Sequence, residues 1–250
     1  MLRVALTLVC LLVAGCTVSG SRSATDNQEV VARAVELGIA YLRQGDTLRA
    51  KENIHKALDV DPKSAEAHAS LALVFQQEQE WTLAESHFNK AIALDPKNSA
   101  ARNNFGAFLY AKGRAEEAIA QLQVAVSDQF YARRGQAFEN LGFAHKSLAD
   151  IDEAKVAFDR ALSLNPKLGR SMTELALLHF DEEAFEQARV LDARLDQFGS
   201  MSSRRLLLCG LVAHHFGDEA RAQDCYAAMK KRYPRTDDAK RLGDFVEERT

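Results

Sequence analysis

Proline, cysteine and tryptophan are scarce in this chain of 250 residues, at four, four and one, and basic charge is not in excess. Each shortage removes a class of function. A formal charge of −3 offers phosphates no basic face to meet, which excludes a nucleic-acid binder. The four cysteines lack metal spacing, and neither a His-Glu-x-x-His motif nor a phosphate-cradling glycine loop is present. His214 and His215 are adjacent, so on a helix they point about 100° apart and do not share an ion as an i, i+4 pair would. Asp150, Asp152 and Glu153 fall around a helix–helix turn and read as a solvated face. With no nucleophile, base or electrophile to name, the chain reads as a protein without catalysis, cofactor or metal. The apolar run at residues 4–14 is shorter than the roughly 20 residues a helix needs to cross a bilayer.

What the chain has in quantity is a repeat. Residues 31–64 set a pattern that returns at a spacing of 34, with Leu37, Gly38, Tyr41, Ala50, Ala57 and Pro62 at positions 7, 8, 11, 20, 27 and 32. This is the tetratricopeptide (TPR) pattern of paired antiparallel helices. Two helices approach closely only where small residues meet large ones, so Gly38, Ala50 and Ala57 make room for Tyr41 and Ile54. Gly45, at position 15, suits the left-handed turn that ends the first helix. Pro62 suits the first turn of the next helix, with Asp61 as its cap.

Further units follow at 65–98, 99–132, 135–168, 169–202 and 203–236. All four prolines of the chain, Pro62, Pro96, Pro166 and Pro234, fall at position 32. Phe130 replaces proline in the third unit, and Arg133 and Arg134 are inserted after it, a step that should change the angle between the third and fourth repeats. The fifth unit is the weakest, with Asp192 where an aromatic is expected. Residues 237–250 carry apolar side chains only at Ala239, Leu242, Phe245 and Val246, the narrow stripe of a capping helix. The expected fold is all-α: a right-handed superhelical solenoid of six TPR hairpins plus a C-terminal cap. A composition of 47% hydrophobic and 27% charged residues suits it, because each unit buries its apolar face on its neighbours and needs no single deep core.

The first fifteen residues have one positive charge, Arg3, then the apolar run, and end in Val13-Ala14-Gly15 before Cys16. This resembles a bacterial lipoprotein signal peptide. The resemblance implies cleavage before Cys16 and diacylglycerol on its thiol. Thr17 in place of aspartate resembles lipoproteins sorted to the outer membrane, facing the periplasm. The small, polar residues that follow read as a flexible tether, giving a lipidated, tethered segment over residues 16–30.

Cys209 and Cys225 occupy positions 7 and 23 of the sixth repeat, close to facing places in the hairpin. In an oxidising periplasm they form a disulfide, or else they are two buried thiols acting as small hydrophobes. In this fold the first helix of each repeat lines the concave face. Position 9 supplies Ile39, Leu73, Ala107, Phe143, Leu177 and Leu211, and position 12 supplies Leu42, Gln76, Tyr110, Lys146, Phe180 and His214. The groove is apolar, and it reads either as a partner site or as side chains half-buried between repeats.

Two stretches go beyond the generic repeat: residues 65–114, and Tyr131-x-x-Arg134 followed by Glu139-Asn140-Leu141-Gly142. Asn103, Asn104, Glu139 and Asn140 stand at groove positions 5 and 6 with no evident packing reason to be polar. With the lipidation signal and six repeats, these features make the chain similar to the type IV pilus biogenesis and stability lipoproteins, the PilF/PilW pilotin family. The resemblance implies an adaptor without turnover that binds secretin subunits and brings them to the outer membrane. On that reading the partner lies along Val35, Ile39, Leu42, Leu73, Asn103, Asn104, Tyr110, Glu139, Asn140 and Phe143. A periplasmic repeat scaffold for cell-wall or other envelope machinery would use the same anchor and fold.

Overall fold

A computed structural model describes residues 24–199 and 201–247. The expected signal peptide, residues 1–15, and the expected lipidation site Cys16 lie outside the described residues. The helices are α1 (Ala24–Arg43), α2 (Thr47–Val60), α3 (Ala65–Gln77), α4 (Trp81–Leu94), α5 (Ser99–Ala111), α6 (Ala115–Ser127) and α7 (Arg134–Ser147). They continue as α8 (Ile151–Leu164), α9 (Gly169–Asp181), α10 (Phe185–Leu195), α11 (Ser203–His215), α12 (Glu219–Arg232) and α13 (Asp237–Glu247). Odd and even helices pair into six antiparallel hairpins, and α13 closes the array on α11. The fold is a TPR solenoid. Among the described residues, no helix is long and apolar enough to cross a membrane.

Register governs local structure closely. Every second helix begins at position 17 of its repeat, and the residue at position 15 is left-handed in all six: Gly45, Gln79, Gly113, Ala149, Glu183 and Gly217. Three first helices, α3, α5 and α11, are capped by short polar side chains, the last by Ser202. Ser64 Oγ accepts from Ala67 N at 3.2 Å and Asn98 Oδ1 from Ala101 N at 2.9 Å. Asp61 does not cap α3. Its Oδ1 instead accepts from Lys63 N at 2.9 Å, closing a turn around Pro62, which lies before the helix rather than in it. Asp95 and Asn165 repeat that turn around Pro96 and Pro166, accepting from Lys97 N at 3.1 Å and Lys167 N at 3.0 Å.

A further sequence expectation is corrected at the N-terminal end. Residues 24–30, expected within a tether over residues 16–30, are helical, because α1 already starts at Ala24. Asp26 in its first turn complements the helix dipole, and Val31 and Val35 bury its apolar side. Asp192, in the aromatic slot of the fifth repeat, is fully buried and ion-paired. Arg205 bonds its carboxylate, and Arg221 Nη2 lies 2.7 Å from Oδ2. Arg205 is itself 3% exposed and also donates to Asp196 at 2.6 Å, so a charged cluster locks repeats five and six where Ile54, Phe88, Leu122, Phe158 and Tyr226 stand in the other repeats.

The core is a series of interfaces rather than one centre. Three apolar clusters follow each other, around Ile54 and Leu71, around Phe88 and Leu122, and around Met172 and Leu207. Close approach explains the glycine at position 8: a Cβ on Gly38 would lie 2.6 Å from Ile54 Cγ1, and one on Gly142 would lie 2.6 Å from the Phe158 ring. Cys209 and Cys225 are joined as a disulfide with Cα atoms 6.2 Å apart, tying α11 to α12.

Candidate functional site on the concave face

Each odd helix touches the next odd helix along the array, from α1–α3 to α11–α13, whereas no pair of even helices makes comparable contact. The array therefore curls with its first helices inside, which makes their exposed faces the wall of a channel.

At the N-terminal end this channel widens to a cavity of about 600 Å³ between α1, α3 and α5. Val35 forms its floor at 2% exposure, and Ile39, Leu42 and Leu73 line it half-buried. Asn104 enters from α5, and the charged rim is balanced, with Glu36 and Glu66 against Arg43 and Arg133. Five of the ten residues expected on the groove, Val35, Ile39, Leu42, Leu73 and Asn104, are thus brought together here.

The others are placed differently. Phe143 lines a separate cavity toward the C-terminus, and the Tyr110 ring packs 6.3 Å from it. Asn140 Nδ2 donates to Asn103 Oδ1 at 3.0 Å, and Asn103 is buried. Glu139 is buried too: its Oε2 accepts from Ser171 N at 3.1 Å and Ser171 Oγ at 2.7 Å. The expectation that Asn103 and Glu139 have no packing role is therefore corrected. They satisfy polar groups where repeats three, four and five meet, and an unpaired buried donor there would be costly. Arg133 reaches the first cavity from the two-residue insertion. The sequence pattern pointed to a change of angle between the third and fourth repeats at that insertion and did not place Arg133 on the channel, although its two arginines marked it.

Position 9 divides along the array. Ile39, Leu73 and Phe143 stay half-open, whereas Leu177 and Leu211 are each 1% exposed and belong to the core. At the C-terminal end a cavity of about 480 Å³ is walled by rings, with Phe185 stacked on His215 at 3.7 Å between centroids.

Behind the α3 wall, His68 and His87 face each other with Nδ1 atoms 3.1 Å apart. His68 Nε2 lies 3.2 Å from the Pro62 carbonyl, to which only an N–H can bond. In the neutral pair His68 Nδ1 is therefore bare, and His87 Nδ1–H donates to it. Burial pushes His87 down to about 4, with His68 adding to the effect, and burial also lowers His68. Further along, burial would raise the Glu174 carboxyl, but Arg204 and Lys146 hold it below the usual carboxylate range. Among the described residues no group of His, Cys, Asp or Glu is placed to hold a metal ion.

Helix hairpins in a 34-residue register with an apolar channel along their first helices define a TPR protein. The tetratricopeptide repeat family matches the chain over residues 35–99, 75–134 and 135–168. The type IV pilus assembly protein PilF of Pseudomonas aeruginosa is 37% identical over 224 residues, spanning 88% of this chain and 89% of PilF. The solved structure of Pseudomonas aeruginosa PilF superposes with a TM-score of 0.83 at 36% identity, over 87% of this chain and 98% of that one. PilW, a widely conserved type IV pilus biogenesis factor, shares the fold with a TM-score of 0.71 at 23% identity, over 86% of this chain and 98% of its own. The chain belongs to the family of the type IV pilus assembly protein PilF. As in those relatives, it is a repeat scaffold and not an enzyme.

Proposed function

We propose that this chain is a pilotin: an outer-membrane lipoprotein that binds secretin subunits in its N-terminal channel and promotes their localisation and multimerisation for type IV pilus biogenesis. The observation that carries the reading is the open apolar cavity formed by Val35, Ile39, Leu42 and Leu73 under a charge-balanced rim. An apolar partner segment, helical or extended, fills such a channel, with Asn104 available to bond its backbone. Membership of the PilF family supports the pilus system as the setting. The lipoprotein signal ending at Cys16 supports an anchor that keeps the channel at the membrane where secretin assembles.

The test is cellular. Cys16→Ala is expected to leave helicity unchanged while releasing the protein from membranes, and secretin oligomers in the outer-membrane fraction should fall with it. Normal oligomers in the right membrane, in a strain lacking the protein altogether, would favour the envelope-scaffold reading instead.

A further inference from the structure

The second cavity on the concave face differs in chemistry from the first. It measures about 500 Å³ and lies where α7, α9 and α11 face the channel, with Leu195 and Phe198 on its wall. Its charged lining comprises the cations Lys167, Arg170, Arg204 and Arg205 and, among the described residues, a single carboxylate, Glu174. The N-terminal cavity is balanced at two against two.

Most of that charge is internally matched. Arg205 is taken by Asp192 and Asp196. Arg204 is shared by Glu174, at 2.8 Å, and Asp238, at 3.0 Å, and Lys146 also bonds Glu174. Two cations remain. The Lys167 ammonium has no ion-pair partner among the described residues. Arg170 lies 3.8 Å from Glu139 Oε1, at the limit of pairing, while the other Glu139 oxygen is committed to Ser171. The Arg170 guanidinium sits 4.4 Å over the Phe143 ring, which holds it at the mouth although its side chain is 68% exposed. Beside these cations stands Phe198, 39% exposed.

Unmatched positive charge beside uncovered aromatic surface selects a ligand with the opposite charge and an apolar side chain. We propose that this cavity binds an acidic segment of a partner protein, with carboxylates on Lys167 and Arg170 and an apolar side chain against Phe143 and Phe198. A small anion would leave the apolar wall uncovered. A bilayer is flat, and it meets the rim of a curved array before it reaches the floor. The proposal does not depend on the identity of the partner in the N-terminal cavity.

The test uses full-length protein in detergent micelles and the fluorescein-labelled peptide Asp-Glu-Phe-Asp-Glu-Leu, with Asn-Gln-Phe-Asn-Gln-Leu as its uncharged counterpart. Fluorescence anisotropy should show the acidic peptide binding about tenfold more tightly than the amide one, the size expected of two exposed ion pairs, with affinity falling as salt rises. Lys167→Glu with Arg170→Glu should abolish the preference while Leu73→Glu leaves it intact. Arg170→Gln keeps a polar chain over Phe143 and controls for disturbed packing; it should lose part of the preference with unchanged helicity. Equal binding of the two peptides would overturn the proposal, as would a preference that survives charge reversal or disappears in Leu73→Glu. Arg170-dependent sedimentation with phosphatidylglycerol vesicles, without peptide preference, would assign the cations to lipid and overturn it as well.

Discussion

At the scale of single residues, the informative positions are those where the side chain breaks the repeat pattern. Asp192 stands in a slot that elsewhere holds a large aliphatic or aromatic side chain, and it is held there by Arg205 and Arg221. Removing Asp192 takes from the buried Arg205 its fully buried partner and leaves it only the half-exposed Asp196, so Asp192→Leu is expected to lower unfolding free energy by about 3 kcal/mol. Val190→Ala, on the exposed face of the same helix, should change it by less than about 0.5 kcal/mol. Denaturant unfolding of the two variants decides this, and a neutral Asp192→Leu would show that the cluster adds nothing to stability. The sequence displayed the anomaly but not its resolution, since Arg205 and Arg221 lie in another repeat. Glu139 illustrates the converse: a groove-position acid looks free until the next repeat brings Ser171 against it.

His87 makes a second prediction at this scale. Its folded-state value near 4 lies below the ordinary 6.5, so the folded chain favours the neutral ring and the unfolded chain binds the extra proton between those values. Stability from this site is therefore present above about pH 6.5 and lost as pH falls toward 4. Two protonated Nδ1 groups 3.1 Å apart would also repel. His87→Gln, whose amide can still donate to His68 Nδ1, should show a smaller fall in melting temperature on acidification from about pH 7 to about pH 5. Parallel pH curves for wild type and variant would contradict this account.

At the scale of elements, the register explains nearly every boundary. Helix starts at position 17 were legible because Gly, Ala and Pro recur at fixed offsets, and each offset has one steric meaning. The start of α1 was not legible, because polar residues suited to a tether also suit an exposed first turn. The left-handed residue at position 15 is the clearest case of shape overriding composition. Gln79, Ala149 and Glu183 take φ of 63°, 61° and 62° where the other repeats use glycine. A Cβ in that conformation costs roughly 1–2 kcal/mol, partly offset by the extra freedom glycine has when unfolded. Ala149→Gly is thus expected to stabilise the protein by about 0.5–1 kcal/mol, against the usual direction of glycine substitutions. Destabilisation in thermal or urea unfolding would mean that the turn is not under strain there.

At the scale of the whole molecule, curvature follows from which helices touch. Contacts between successive first helices put small and half-buried side chains on the inside and leave a channel there. The fold was legible throughout, since a repeat array needs only local periodicity to be recognised. The site was legible in part. Groove positions identified Val35, Ile39, Leu42, Leu73 and Asn104, but not the split of the channel into a neutral apolar cavity and a basic aromatic one. That split arises from side chains three repeats apart, which no local pattern reports. The pilotin reading rests on the first cavity, and the most direct measurement is capture of secretin subunits by purified wild-type, Leu42→Glu and Leu73→Glu proteins. Central apolar contacts contribute about 2 kcal/mol each, so either variant should bind at least about thirtyfold more weakly while its melting temperature changes little. Secretin bound at wild-type affinity by both variants would contradict the assignment of the partner to this channel.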